Sequence, residues 1–191
     1  MITSQELSRS LYGTIRLAKG DPSGLQYFNA TLEGFWNSVA AAVIVLPGYA
    51  FMTWLGYFIV PAEASDSRIV LVEAIAYVTH WAAFQLALFY YCRVVGKENR
   101  FFHAAVALNW IDVPAYAVMV GLQLLLLAVG GGGGLGDLVS FMLWILLIAY
   151  SCYVAKVALQ SSLLVAIGPF GIAFLLNQLL SAVTAHMVMQ G

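Results

Sequence analysis

The chain predicts an all-α fold, a polytopic membrane bundle of five transmembrane helices preceded by an amphipathic interfacial helix. Three observations carry that expectation. Of 191 residues, 62% are hydrophobic and 9% charged, whereas a soluble domain carries about 25% charge. The charges also avoid long windows: 34–62, 113–136, 138–155 and 157–191 contain none. Finally, five windows meet the roughly 20 apolar residues that a helix needs to cross a hydrocarbon core of about 30 Å.

These windows run from Phe35 to Val60, Ile69 to Tyr91, His103 to Val129, Leu135 to Val154 and Ser162 to Met187. Residues 1–34 then form a cytoplasmic or interfacial segment, and 35–191 the transmembrane domain. The breaks fall at 61–68, at 93–102, at a run of five glycines from Gly130 to Gly134, and at a tight joint between Lys156 and Ser161. The glycine run reads as a flexible turn. Short loops rich in Lys and Arg stay on the cytoplasmic side. Arg9, Arg16, Lys19, Arg93, Lys97, Arg100 and Lys156 share one side of a five-span chain, and only Arg68 lies on the other. The N-terminus is therefore expected inside and the C-terminus outside a bacterial-type inner membrane.

Within the first 34 residues, Thr3-Ser4-Gln5-Glu6 fits a capping box, in which the Thr oxygen and the Glu carboxylate satisfy free amides at a helix start. Leu7, Leu11, Ile15 and Ala18 recur as one apolar stripe with Arg9, Arg16 and Lys19 off it. Such a helix lies on the membrane surface with its cations at the headgroups, or else packs on the bundle. Gly20-Asp21-Pro22-Ser23-Gly24 ends it, and a short second interfacial piece leads from Leu25 into Phe35 and Trp36. No long apolar stretch occurs in this segment, so a cleaved signal peptide is not expected.

Several function classes are disfavoured. A net charge of −1 offers no basic face for nucleic acid, and little chain remains for a soluble catalytic domain. Cys92 and Cys152 lie in apolar segments and give no disulfide framework. His80, His103 and His186 form no metal-ligand spacing, so no metal and no cofactor are expected.

Ionisable groups at bilayer depth are costly, about 2.5–3.5 kcal/mol each by insertion scales, which makes each one a candidate site. On the second span Glu73, Tyr77 and His80 fall at i, i+4 and i+7, one helix face. Glu73 sits near the outer end and is expected to reach the headgroups, whereas His80 is near mid-span, either hydrogen-bonded to a neighbouring helix or handling protons. The third span holds Asn109-Trp110-Ile111-Asp112-Val113-Pro114. Asp112 is too deep to reach water easily, so it ties helices together as a protonated carboxyl or faces a hydrated cavity. Pro114 frees the Trp110 carbonyl. Pro47-Gly48 on the first span and Gly168-Pro169 on the fifth are further helix breakers, which either kink the helix or bare carbonyls to a substrate. Asn177 and Gln178 on the fifth span are expected to make interhelical amide bonds.

The layout of an N-terminal amphipathic segment, five close spans, short loops, Asp112 and Pro114 on the third span and proline-marked first and fifth spans resembles the Yip-like family of five-span membrane proteins. That resemblance covers roughly residues 35–187 and implies a protein without enzymatic machinery that binds trafficking GTPases or shapes membranes. The function expected first is thus a non-enzymatic membrane protein acting through helix contacts, membrane organisation or membership of a complex. Its partners would be the lipid bilayer and a second copy or a membrane-protein partner. The alternative is a small transporter, or a transporter subunit, with an intramembrane Asp/His site.

Overall fold

Thr3 opens the first helix, α1 (Ser4–Ala18), by accepting the Glu6 amide at 3.1 Å. The structure is a computed structural model and describes residues 2–130 and 133–189. The reciprocal half of the capping box is absent: the Glu6 carboxylate instead accepts from the side-chain amide of Asn37 at 2.9 Å. At its far end α1 stops in a Schellman turn. Gly20 (φ 78°) supplies the left-handed residue, and the Asp21 and Gly20 amides return to the Arg16 and Leu17 carbonyls. A 3-10 turn, Pro22–Tyr27, folds back along α1. Its approach requires glycine on both sides, because a Cβ on Gly24 would stand 2.6 Å from the Gly13 carbonyl oxygen.

The membrane domain follows as α2 (Leu32–Ser38), α3 (Ala40–Ile59), α4 (Asp66–Val94), α5 (Phe101–Ala128), α6 (Gly134–Leu159) and α7 (Leu163–Met189). Five helical stretches are long and apolar enough to cross a membrane, the first formed by α2 and α3 together. Large apolar side chains such as Val43, Phe58, Val78, Leu146 and Leu175 face outward along them. That inside-out exposure belongs to a chain whose solvent is lipid; the protein is a membrane-embedded helical bundle.

The expected boundaries shift by about a turn. The first span divides at Val39, where the Ser38 hydroxyl turns back to the Phe35 carbonyl at 2.7 Å. The fourth runs past Val154 through Lys156 to Leu159, ending at Gln160 in the left-handed region (φ 47°). Two cations from the second loop cap this end: Lys97 donates to the Gln160 carbonyl at 2.9 Å and Arg100 to that of Ala158 at 2.8 Å. Within the glycine run, Gly130 and Gly133 have positive φ; residues 131 and 132, at the heart of the expected turn, lie outside the described residues.

α4 packs on α7, α7 on α6, α6 on α5 and α5 on α3. The ring is left loosely closed between α3 and α4, whose backbones scarcely approach. In the half of α5 nearest the basic loops, Ala104 to Ile111 are buried all round, so this half-helix is the centre of the core. α1 rests here too. Its buried face is Ser10, Gly13, Thr14 and Leu17, with Tyr150 of α6 donating to the Thr14 carbonyl at 2.8 Å. The expected stripe is therefore displaced: Leu7 and Leu11 pack, but Ile15 is 49% exposed and Ala18 lies outside. Small residues allow the closer approach, and they won over the larger apolar ones.

The helix breakers do not break. Pro47, Pro114 and Pro169 all lie inside continuous helices, and at Pro169 a neighbouring helix takes up the freed position. The Tyr91 hydroxyl donates to the Val165 carbonyl at 2.6 Å, the acceptor that Pro169 leaves without an amide. Tyr77 donates to the Ala42 carbonyl at 2.6 Å, next to the one that Pro47 frees. Gly48 serves packing, since a Cβ there would stand 3.3 Å from the Val120 side chain.

Candidate functional site

Between α3, α4, α5 and α7 lies a cavity of about 110 Å³. Its wall is assembled by helical spacing. α4 contributes Glu73, Tyr77, His80 and Phe84 at i, i+4, i+7 and i+11, with Trp81 beside them. From α5 come Asn109, Asp112 and Tyr116, and from α7 Asn177, Ser181 and Thr184. Tyr49 of α3 completes the wall, with its ring centroid 4.6 Å from that of Tyr77. Of the polar residues singled out from the sequence, Asp112, His80, Glu73, Asn109, Asn177 and Tyr77 thus face one space, though with different partners, and Gln178 does not.

Glu73 does not reach for headgroups. Its two oxygens accept from the Tyr49 and Tyr57 hydroxyls, each at 2.7 Å. At about two turns into the membrane helix, a carboxylate finds phenol donors on α3 nearer than the interface. Asn109, 2% exposed, is the middle of a polar chain. Gln85 of α4 donates to its Oδ1 at 2.6 Å, its Nδ2 donates to the Ser38 hydroxyl at 2.8 Å, and Ser38 passes on to the Phe35 carbonyl. This chain ties α4, α5 and α2 at the floor of the cavity; Asn109, bonded on both sides, is structural, while Gln85 Oε1 has no partner among the described residues.

Asp112, His80 and Asn177 differ. Among the described residues none of the three makes a hydrogen bond to protein. The expected amide bonds of Asn177 and Gln178 are therefore not formed; both side chains are exposed, Asn177 toward the cavity. A volume of about 110 Å³ accommodates three or four waters at roughly 30 Å³ each, or one small solute. No arginine or lysine lines the cavity, so its ionisable residues are two carboxylates, a histidine and tyrosines. Five aromatic side chains, Tyr49, Tyr77, Trp81, Phe84 and Tyr116, surround them, and ring faces attract cations. Sequence reading had missed Tyr49, Tyr116, Ser181 and Thr184. The last three carried a signal in their spacing, i+4 from Asp112 and i+4 and i+7 from Asn177.

A second space adjoins the first. An apolar groove of about 350 Å³ runs between α3 and α4, lined by Leu46, Trp54 and Val70 among others, and it shares Tyr49, Glu73 and Tyr77 with the cavity. Among the described residues no group of three or more His, Cys, Asp or Glu is placed to hold a metal ion. Comparison with family models, with curated proteins and with solved structures found no match to the chain.

Proposed function

We propose that this is a non-enzymatic multi-pass protein of a bacterial-type inner membrane, N-terminus cytoplasmic, that binds a small cationic solute or proton inside the bilayer. In this role it is a small transporter or a transporter subunit. The observation that carries the reading is Asp112: a carboxyl lining a cavity at membrane depth, beside His80, with no hydrogen bond to protein among the described residues. A carboxyl kept only to hold helices together would be bonded to a neighbour, as Asn109 is, because an unmet polar group in hydrocarbon costs several kcal/mol. That contrast disfavours action through helix contacts alone, the role that the Yip-like resemblance implies. Orientation is supported by the seven basic residues on one side against Arg68 on the other.

The test uses single cysteines at positions 80 and 112, with Cys92 and Cys152, both buried, replaced by alanine. In sealed vesicles a water-soluble thiol reagent is expected to label both positions, and a small amine to slow the labelling of His80→Cys, which keeps Asp112, but not that of Asp112→Cys. Unreactive cysteines in a folded protein, labelled only after denaturation, would overturn the reading.

A further inference from the structure

We infer that the occupant is an amphiphilic amine, a protonated nitrogen on an apolar body, which arrives laterally from the lipid between α3 and α4. This deepens the reading above and rests on it. The polar cavity and the apolar groove are two compartments of one space, and they meet at Tyr49, Glu73 and Tyr77. A purely polar solute would leave the groove, roughly three times the larger by volume at about 350 against 110 Å³, unused. A purely apolar one would leave Asp112 unpaired.

The sign of the head follows from the lining. Asp112, Glu73 and Asp66 are the carboxylic residues of the two compartments, and neither contains Lys or Arg. A phosphate or carboxylate head would meet like charge, whereas an ammonium meets carboxylates and ring faces.

The route follows from how α3 and α4 are joined. Their backbones scarcely approach, and side chains bridge them: Tyr49 and Tyr57 on Glu73, and Tyr77 on the Ala42 carbonyl. On this route it is side chains, the phenols of Tyr49 and Tyr57 on Glu73, that stand between the groove and the cavity. An arriving ammonium replaces the phenol donors on Glu73 and passes inward to Asp112, while its apolar body lies against Trp54 and Val70. Both of these side chains are exposed on the outer face.

The experiment measures binding to the full chain in lipid nanodiscs, with empty nanodiscs as the partition control, using methylammonium, octylammonium and octanoate. Octylammonium is expected to bind at least about tenfold more tightly than methylammonium, because its methylenes are taken from water, and octanoate not to bind. Asp112→Asn should abolish binding of both amines while the protein keeps its helical spectrum, since Asp112 holds no neighbour. Trp54→Ala should weaken octylammonium by about fivefold and leave methylammonium unchanged. If methylammonium binds and octylammonium gains less than about threefold, the lateral amphiphile fails and the cation site stands. If neither amine binds, both fail. Binding of octanoate would overturn the charge assignment.

Discussion

The phenol of Tyr91 on α4 fills the notch left by Gly168 on α7: a Cβ at Gly168 would stand 2.2 Å from the Tyr91 hydroxyl oxygen. The same hydroxyl donates to the Val165 carbonyl, which lacks its helical partner because of Pro169. Gly168 and Pro169 thus form one device, a seat and the acceptor that the seated group serves. Tyr91→Phe should destabilise the protein by about 1 kcal/mol, the net value of one such bond. Gly168→Ala must expel the ring and loses the bond as well, so Tyr91→Phe added to Gly168→Ala should cost almost nothing further. Reversible unfolding in mixed micelles checks the cycle. Strict additivity of the two changes would show that the seat and the bond are unconnected.

Asn109 tests the distinction between the structural and the unpaired polar groups. Asn109→Leu removes two of the chain's three bonds and leaves the Gln85 amide without its acceptor, while Ser38 keeps the Phe35 carbonyl. The cost expected is about 1–3 kcal/mol. Asp112→Asn should change stability by less than about 0.5 kcal/mol, the usual range for a substitution that breaks no contact. Thermal unfolding of both variants in the same detergent provides the comparison. Equal losses would place Asp112 among the structural residues.

The sequence carries which residues share a helix face, because that follows from 3.6 residues per turn: Glu73, Tyr77 and His80 on α4 are read that way, whereas the same spacing of Tyr116 from Asp112, and of Ser181 and Thr184 from Asn177, went unread. It could not disclose that these faces look at one another. That depends on which helices are neighbours, and the ring that packs α4 on α7 and opens between α3 and α4 is set by long-range fit. Glu73 shows the gap well. Its depth was readable, but Tyr49 and Tyr57, 24 and 16 residues away, were invisible as partners. The two readings left open for the prolines could not be separated for the same reason, since whether the carbonyl freed by Pro169 is bare depends on a tyrosine from another helix. On α1 the apolar period pointed to Ile15 and Ala18, yet Gly13 is buried against the 3-10 turn and Thr14 is met by Tyr150 of α6, because contact with a neighbouring backbone rewards small size over hydrophobicity.

Gly34 fixes how the N-terminal unit joins the membrane domain. A Cβ there would lie 1.8 Å from the Asn29 carbonyl oxygen, a backbone atom that cannot swing away. The segment is held besides by Thr31, which caps α2 through the Gly34 amide at 3.1 Å and donates to Asn29. Gly34→Ala should detach residues 2–31 from α2 while the five spans remain inserted. Limited proteolysis is expected to release an N-terminal fragment at least about tenfold faster than from the parent, with no change in the membrane-embedded remainder. Unaltered proteolysis would mean that the loop can move aside and that the glycine is dispensable.

Acid should loosen that same unit through Asp21. Ser23, whose amide donates at 2.9 Å, and then the Arg16 guanidinium hold the Asp21 carboxyl below the ordinary carboxylate range, with Arg16 Nε donating to it at 2.7 Å. Arg16 also reaches the Tyr27 hydroxyl at 3.0 Å, so the ion pair pins the 3-10 turn to α1. A carboxyl whose folded value is depressed contributes stability that is fully present above its unfolded value of about 3.9 and lost as the pH falls through the folded one. The window therefore lies below about pH 4, and no change is expected between pH 7 and about pH 5. Asp21→Asn keeps an acceptor for the Ser23 amide but loses the charge, so its α1 amides should exchange faster than the parent's at pH 6, with the difference shrinking below pH 4. Hydrogen exchange of residues 4–18 measures it. A gap between parent and variant that persists unchanged at pH 3 would assign the effect to packing and not to the carboxylate.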